Sequence, residues 1–155
     1  SRILYIEGEP RFEQKFIRIA LADSDDLQVD PLPIFRSTQS QWPFDGLTDI
    51  LADETYDCII LGDVDSKALG NKSIQAIVDR VAAGAGLITL GGYHAYGPGG
   101  YDATPLAAIL PITISGGRRQ NFSEPIHKEM HIAGPLQMKL RQRHPIFEIG
   151  TGVSD

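Results

Sequence analysis

Residues 57–63 read DCIILGD and residues 86–92 read GLITLGG, and these two segments decide the fold. Each is a short apolar run that ends in glycine or Gly-Asp, which is typical of a buried strand followed by a turn. An apolar stripe at helical spacing lies between them, formed by Ile74, Ile77, Val78, Val81 and Ala82. Asn71 or Ser73 is the predicted cap of this helix and Gly84 its predicted stop. The stretch therefore predicts strand, helix and strand.

The same alternation begins at the N-terminus. Residues 2–6 predict a buried strand that ends at Glu7-Gly8-Glu9-Pro10, and Phe12, Phe16, Ile19 and Ala20 then predict the apolar face of a helix. Residues 27–35 contain two prolines and predict an outer strand, and residues 47–51 predict a short helix. Regular alternation of strands and helices indicates an α/β fold with a parallel sheet and helices on both faces. After Pro111 we expect either short antiparallel strands at 112–114, 126–132 and 136–140 or an excursion from the sheet.

Composition limits the classes of function. The 155 residues are 42% apolar and 22% charged, as in one globular domain, and the single cysteine excludes a disulfide framework or a zinc site built on several thiolates. No apolar run approaches the length of a membrane span. The formal charge of −6 argues against nucleic-acid binding. We expect Cys58 to be a buried, unreactive strand residue. No metal and no cofactor is expected, since the spacing of His127 and His131 fits a surface pair better than a metal site.

One family resemblance covers most of residues 2–149. Residues 84–93 (GAGLITLGGY), 96–101 (YGPGGY) and 104–106 (TPL) resemble the class I glutamine amidotransferase-like superfamily, as does the segment 56–63. Leu110-Pro111-Ile112 and His144-Pro145-Ile146 are similar to motifs of its divergent members. The opening residues 3–13 resemble the amidotransferase-like domains of large bacterial membrane-associated proteins, often beside von Willebrand A domains. The resemblance implies a flavodoxin-like open sheet and a single domain, residues 1–155, cut from a longer chain.

The sequence departs from this family at the catalytic residues. Glutamine amidotransferases place a cysteine on a G-x-C-x-G elbow, where this chain has Gly92 or Tyr93. Their His-Pro-Glu motif has only a longer counterpart here, in which two extra residues separate His144 from Glu148. The resemblance therefore implies a non-catalytic module that binds or scaffolds within a larger protein, as a soluble cytoplasmic or periplasmic part of it. The expected partners are flanking domains or another protein. The basic residues Arg118, Arg119, Lys128, Lys139, Arg141 and Arg143 are interpreted as a solvated face or a docking surface.

A second hypothesis is an enzyme. Glu7, Glu9 and Asp63 follow predicted strands, whose carboxyl ends meet at one edge of a parallel sheet. His94 follows the third predicted strand, so a hydrolase using His94 with one of these carboxylates is the alternative. Acidic turns at strand ends are also ordinary in an acidic protein.

A binding site for a small molecule is predicted at the same edge. Its expected residues follow the third predicted strand: Gly91, Gly92, Tyr93, His94 and Tyr96. We interpret residues 93–101 as a glycine-rich loop that covers the cleft, and not as a phosphate loop, because it lacks lysine. Gly91 and Gly92 are expected to be required by a positive φ or a close backbone approach.

Overall fold

The computed structural model describes residues 1–130 together with residues 132, 134, 135, 137, 139, 141 and 142. Its strands and α-helices are β1 (Arg2–Glu7), α1 (Phe12–Ala22), β2 (Gln28–Pro33), α2 (Gly46–Asp53), β3 (Cys58–Leu61), α3 (Ser66–Ala82) and β4 (Gly86–Thr89). Short 3-10 helices occupy Arg36–Gln41, Tyr101–Ala103, Pro105–Ala108 and Lys128–Met130. The α/β class predicted from the sequence is confirmed. None of the helices in the described residues is long and apolar enough to cross a membrane.

The four strands form one parallel sheet in the order β2-β1-β3-β4. The central strand β1 is an almost unbroken run of buried residues, because helices lie against both of its faces. The larger core cluster joins one face to α2 and α3 through residues such as Leu47, Leu51, Ile74 and Ile77. The smaller cluster joins Tyr5 and Ile60 on the other face to α1. Strand β2 lies at the sheet edge, as its prolines predict.

Strand β4 is less buried than the sequence predicts. Tyr5, Ile60 and Ile88 are aligned across three neighbouring strands on the face that α1 covers. The first two are buried, whereas the side chain of Ile88 is 48% exposed. Residues Ile17 and Leu21 of α1 pack in the cluster on this face with Tyr5 and Ile60, whereas Ile88 is not part of that cluster.

The predicted apolar face of α1 is wrong. Phe12, Phe16 and Ile19 point outward and are 74%, 55% and 55% exposed, while Ile17 and Leu21 pack on the sheet. The helix carries apolar residues on two sides, and Arg11 at its start is anchored to the Glu7 carboxylate and the Gly91 carbonyl oxygen. In the helix held by this anchor, Ile17 and Leu21 face the sheet. The stripe of Phe12, Phe16 and Ile19 (the α1 stripe) therefore faces outward, and the rings of Phe12 and Phe16 contact each other edge-on.

Two further boundaries differ from the sequence prediction. Helix α3 begins at Ser66, where the Asp65 side chain accepts the Lys67 N–H at 2.8 Å, so neither Asn71 nor Ser73 is its cap. Gly70, at φ +74°, interrupts the helix, which explains why the apolar stripe starts only after it. Of the two alternatives after Pro111, the described residues 112–114 and 126–130 follow the excursion, since their backbone is irregular apart from one 3-10 turn and forms no strand. His131, residues 133, 136, 138 and 140, and residues 143–155 lie outside the described residues.

Candidate functional site

A cleft of about 520 Å³ opens at the carboxyl ends of the strands. The parallel sheet brings its residues together, since the segments after β1, β3 and β4 all leave the sheet at this edge. Of the residues singled out in the sequence, Glu9, Asp63, Gly91, Gly92, Tyr93 and His94 line it. The other lining residues, which were not predicted as site residues, are Pro10, Arg11, Phe12, Glu13, Arg36 and Ile126.

The Asp63 carboxylate occupies the turn after β4. We call residues Gly91–His94 the elbow. Asp63 is 1% exposed, and its two oxygens accept the backbone N–H groups of Tyr93 at 2.9 Å and His94 at 2.6 Å. Both N–H groups are therefore bonded to a carboxylate of the chain itself. The sequence contains a signal for this contact. Gly62-Asp63 follows one buried strand and Gly91-Gly92 follows the next, so the two turns meet at the same edge of the sheet.

Gly92 is required by this close approach and not by its backbone angles. A Cβ at position 92 would lie 2.1 Å from Cγ of Asp63, far inside contact distance. Neither elbow glycine is among the positive-φ residues. At Gly91 the nearest atom to an added Cβ is Cε2 of Tyr96 at 3.5 Å, an ordinary contact. The expectation that Gly91 is required by backbone geometry is therefore wrong.

Glu7 lies beneath the cleft as a structural anchor. Its buried carboxylate accepts the Tyr5 hydroxyl at 2.7 Å and the Arg11 guanidinium at 3.2 Å. Burial and this hydrogen bond to Glu7 raise the pKa of Tyr5. Arg11 also donates to the Gly91 carbonyl oxygen at 2.7 Å, so Glu7 ties the start of α1 to the elbow. Glu7 is held by these contacts and does not line the cleft.

His94 and Glu9 form the polar centre of the cleft. His94 is only 5% exposed, and its ring stacks on Phe122 with the centroids 3.9 Å apart. Nδ1 of His94 lies 4.0 Å from Oε1 of Glu9, beyond hydrogen-bond distance. Within the described residues, neither ring nitrogen of His94 nor this Glu9 oxygen has a hydrogen-bond partner. Burial lowers the pKa of His94 despite nearby Asp63, whereas burial, with Asp63 adding to it, raises the pKa of Glu9.

A segment that we call the strap, residues 119–127, covers His94. Arg119 fastens one end: its Nη2 donates to the Asp65 carboxylate at 2.7 and 2.8 Å, and its Nη1 donates to the Gly99 carbonyl oxygen at 2.7 Å. Within the strap, the buried Gln120 side chain donates to the carbonyl oxygens of Asn121 and Pro125 and accepts the His127 N–H. The reading of Arg119 as part of a solvated basic face is therefore wrong.

Tyr96 does not lie in the cleft, although we predicted it as a binding residue. Its hydroxyl lies 3.0 Å from Oγ1 of Thr89, so the ring packs against the end of β4. Tyr101 is likewise turned inward, with its hydroxyl donating to the Val64 carbonyl oxygen at 2.7 Å. The glycine-rich loop is thus bound to the body of the domain. The residue of this loop that lines the cleft with an aromatic ring is Tyr93, which is half exposed.

The remaining candidates lie away from the cleft. Cys58 is half-buried, not fully buried as predicted, because it is the first residue of β3; burial still raises the pKa of its thiol. His127 lies between Glu124 and Glu129, at 3.2 and 3.4 Å from their carboxylate oxygens. In the part of the chain that the structure describes, no three His, Cys, Asp or Glu side chains are arranged to hold a metal ion.

Comparison of the chain with protein-family models, with curated proteins and with solved structures finds no match. The chemistry that the site supports is therefore judged from its own geometry. No serine, threonine, cysteine or lysine lines the cleft within the described residues. The cleft combines the carboxylates of Glu9, Glu13 and Asp63 with the guanidinium groups of Arg11 and Arg36, beside two exposed aromatic rings, Phe12 and Tyr93.

Proposed function

We propose that this chain is a non-catalytic, amidotransferase-like module with a flavodoxin-like sheet, and that it works by binding within a larger protein. The observation that carries the proposal is the Asp63 carboxylate bonded to both elbow N–H groups, at 2.9 and 2.6 Å. Acyl transfer needs a nucleophile and free donors aimed at the developing oxyanion. Here the donors are occupied, and the same carboxylate takes up the space of a side chain at position 92.

The α1 stripe supports the binding role. Phe12, Phe16 and Ile19 lie in line on one helix, and each exposes more than half of its side-chain surface. Lys15 and Arg18 border the stripe on the side that faces β2. Exposed apolar surface of this kind is characteristic of contact with another protein surface. The expected partner is a flanking domain of the parent protein or a separate protein.

The second candidate function is a hydrolase that uses His94 with an acidic residue. One observation favours it: His94 Nδ1 and Glu9 Oε1 face each other at 4.0 Å, both without hydrogen-bond partners among the described residues. A general base must reach the proton that it removes, at about 2.6–3.2 Å or through one water. Among the residues that the structure describes, no serine, threonine or cysteine lines the cleft for this pair to activate, which is why we prefer the binding role.

Glutamine hydrolysis tests the proposal. We expect the purified chain to release no ammonia from glutamine above the background without protein, and the Tyr93→Cys variant to release none either. In that variant the backbone N–H of residue 93 still donates to the Asp63 carboxylate and is not an open oxyanion donor. The measurement is a coupled ammonia assay, with His94→Gln as the matched control. Steady ammonia release by the wild-type chain would contradict the binding role, and its loss in His94→Gln would favour the hydrolase.

A further inference from the structure

Helix α1 presents an outward apolar face that is left uncovered by the described residues. The α1 stripe places its apolar residues four and then three positions apart, which is the spacing of the seam between two packed helices. Lys15 stands one position before Phe16, beside the seam, where charged residues decide the choice of partner. Ile17 and Leu21 pack on the sheet from the other side of the helix. The stripe therefore has the pattern of one half of a helix pair.

A basic groove of about 560 Å³ lies between α1 and β2, next to the stripe. Its described lining residues include Lys15 and Arg18 on α1 and Pro31 on β2 but no Asp or Glu, although the chain as a whole has a formal charge of −6. Lys15 and Arg18 form no ion pair within the part of the chain that the structure describes. The third cation of the groove, Arg11, is bonded to Glu7. The groove therefore attracts acidic groups through Lys15 and Arg18.

The edge of β2 that borders this groove is blocked against a further strand. The N–H groups of Gln28 and Ile34 donate toward β1, so the backbone nitrogens of residues 29, 31 and 33 point away from the sheet. Pro31 and Pro33 have no N–H to donate. An extended peptide would therefore find one donor, at Val29, along the 6 residues of β2. A helix needs no backbone bonds from its neighbour and fits this face instead.

Charge argues against two other occupants of the face. A two-fold contact between copies of this chain places the same patch of each copy against the other. Lys15 of one copy would then approach Lys15 of its partner, and like charges in contact oppose association. An anionic lipid surface attracts basic helices, but the formal charge of −6 repels the protein as a whole from it.

We propose, resting on the binding role above, that this face of α1 receives an acidic amphipathic helix of a protein partner. Apolar residues of that helix, three and four positions apart, pack on the α1 stripe. Acidic residues beside them reach Lys15 and Arg18 at the groove. The apolar contacts supply most of the affinity, and the charges select the partner and its orientation.

Two designed peptides test the charge preference of this face. Both are three heptads long with leucine at the a and d positions, and the e and g positions carry glutamate in one peptide and lysine in the other. Titration of the 15N-labelled chain with each peptide is followed by the amide signals of α1. We expect saturable shifts with the glutamate peptide and about tenfold weaker binding of the lysine peptide.

Two matched pairs of variants locate the contact. Lys15→Glu is expected to reverse the preference between the two peptides, whereas Lys72→Glu, at an exposed lysine of α3, is expected to leave it unchanged. Ile19→Ser is expected to weaken binding of the glutamate peptide about tenfold, since buried apolar area is lost. Ile112→Ser removes an isoleucine of similar exposure outside α1, 48% against 55%, and is expected to leave the affinity unchanged. Serine and isoleucine have similar helix propensities, and urea unfolding of each variant establishes that the fold is retained.

Three results would overturn the helix site: no saturable binding of the glutamate peptide, equal binding of the two peptides, or equal losses in a variant and its matched control. Binding to phosphatidylserine vesicles that Lys15→Glu abolishes would assign this face to a membrane surface instead. A dimer in sedimentation that Ile19→Ser dissociates would assign it to a second copy of the chain.

Failure of the helix site is distinct from failure of the binding role. If the glutamate peptide does not bind and glutamine is not hydrolysed, the binding role stands and uses another surface. Ammonia release from glutamine removes the binding role itself, whatever the peptides do.

Discussion

Gly92→Ala is expected to lower the free energy of unfolding by about 3 kcal/mol or more, or to prevent folding. Forcing an atom into a filled site costs about 1–3 kcal/mol, and broken hydrogen bonds to a charged group add to this. The added Cβ would lie 2.1 Å from Cγ of Asp63, which cannot move away without releasing the Tyr93 and His94 N–H groups. Urea unfolding followed by the fluorescence of Trp42 measures the loss.

The neighbouring glycine provides the matched control for this substitution. Gly91→Ala introduces a Cβ whose nearest neighbour is 3.5 Å away, so a loss below about 1 kcal/mol is expected. Equal stability of Gly92→Ala and the wild-type chain would show that Asp63 does not lie against the elbow as described.

Asp63→Ala is expected to lower the free energy of unfolding by about 3 kcal/mol, because two hydrogen bonds to a charged group are lost. Asp63→Asn keeps one oxygen acceptor and is expected to lose about half as much. The same urea titration measures both variants. An Asp63→Ala variant as stable as the wild-type chain would contradict the role of this carboxylate.

The two substitutions are also expected to be coupled. Adding Gly92→Ala to Asp63→Ala places the new methyl group where the carboxylate stood, so the double variant is expected to be more stable than the sum of the single losses. Contacting residues commonly show interaction energies of about 0.5–3 kcal/mol in such cycles. Strict additivity would mean that the two residues do not touch.

The sequence predicts the sheet because each strand carries its own signal. Residues 57–63 and 86–92 are short apolar runs that end in turn residues, and the two prolines of β2 exclude a central position. Such runs predict a parallel sheet, and a parallel sheet brings Glu9, Asp63 and His94 together at one edge.

The features that the sequence does not predict depend on tertiary contacts. Arg11, at the start of α1, donates to the Gly91 carbonyl oxygen, which lies 80 positions away in the chain. Periodicity alone cannot choose between the two apolar sides of that helix. The strap is equally non-local, since Arg119 is bound to Asp65 and Phe122 stacks on His94. No repeat or periodic pattern marks a segment that is held by such single contacts.

Amide hydrogen exchange at Tyr93 and His94, measured by NMR on the intact chain, is the most direct test of the occupied elbow. With Asp63 accepting both N–H groups at 2.9 and 2.6 Å, we predict that both amides exchange at least about 100-fold more slowly than in an unstructured peptide. In Asp63→Ala this protection should be lost, while the Gly62 amide, which donates to the Ile6 carbonyl oxygen at 2.8 Å, stays protected. Exchange of Tyr93 and His94 at the rate of an unstructured peptide in the wild-type chain would mean that the donors are open, and would contradict a non-catalytic elbow closed by Asp63.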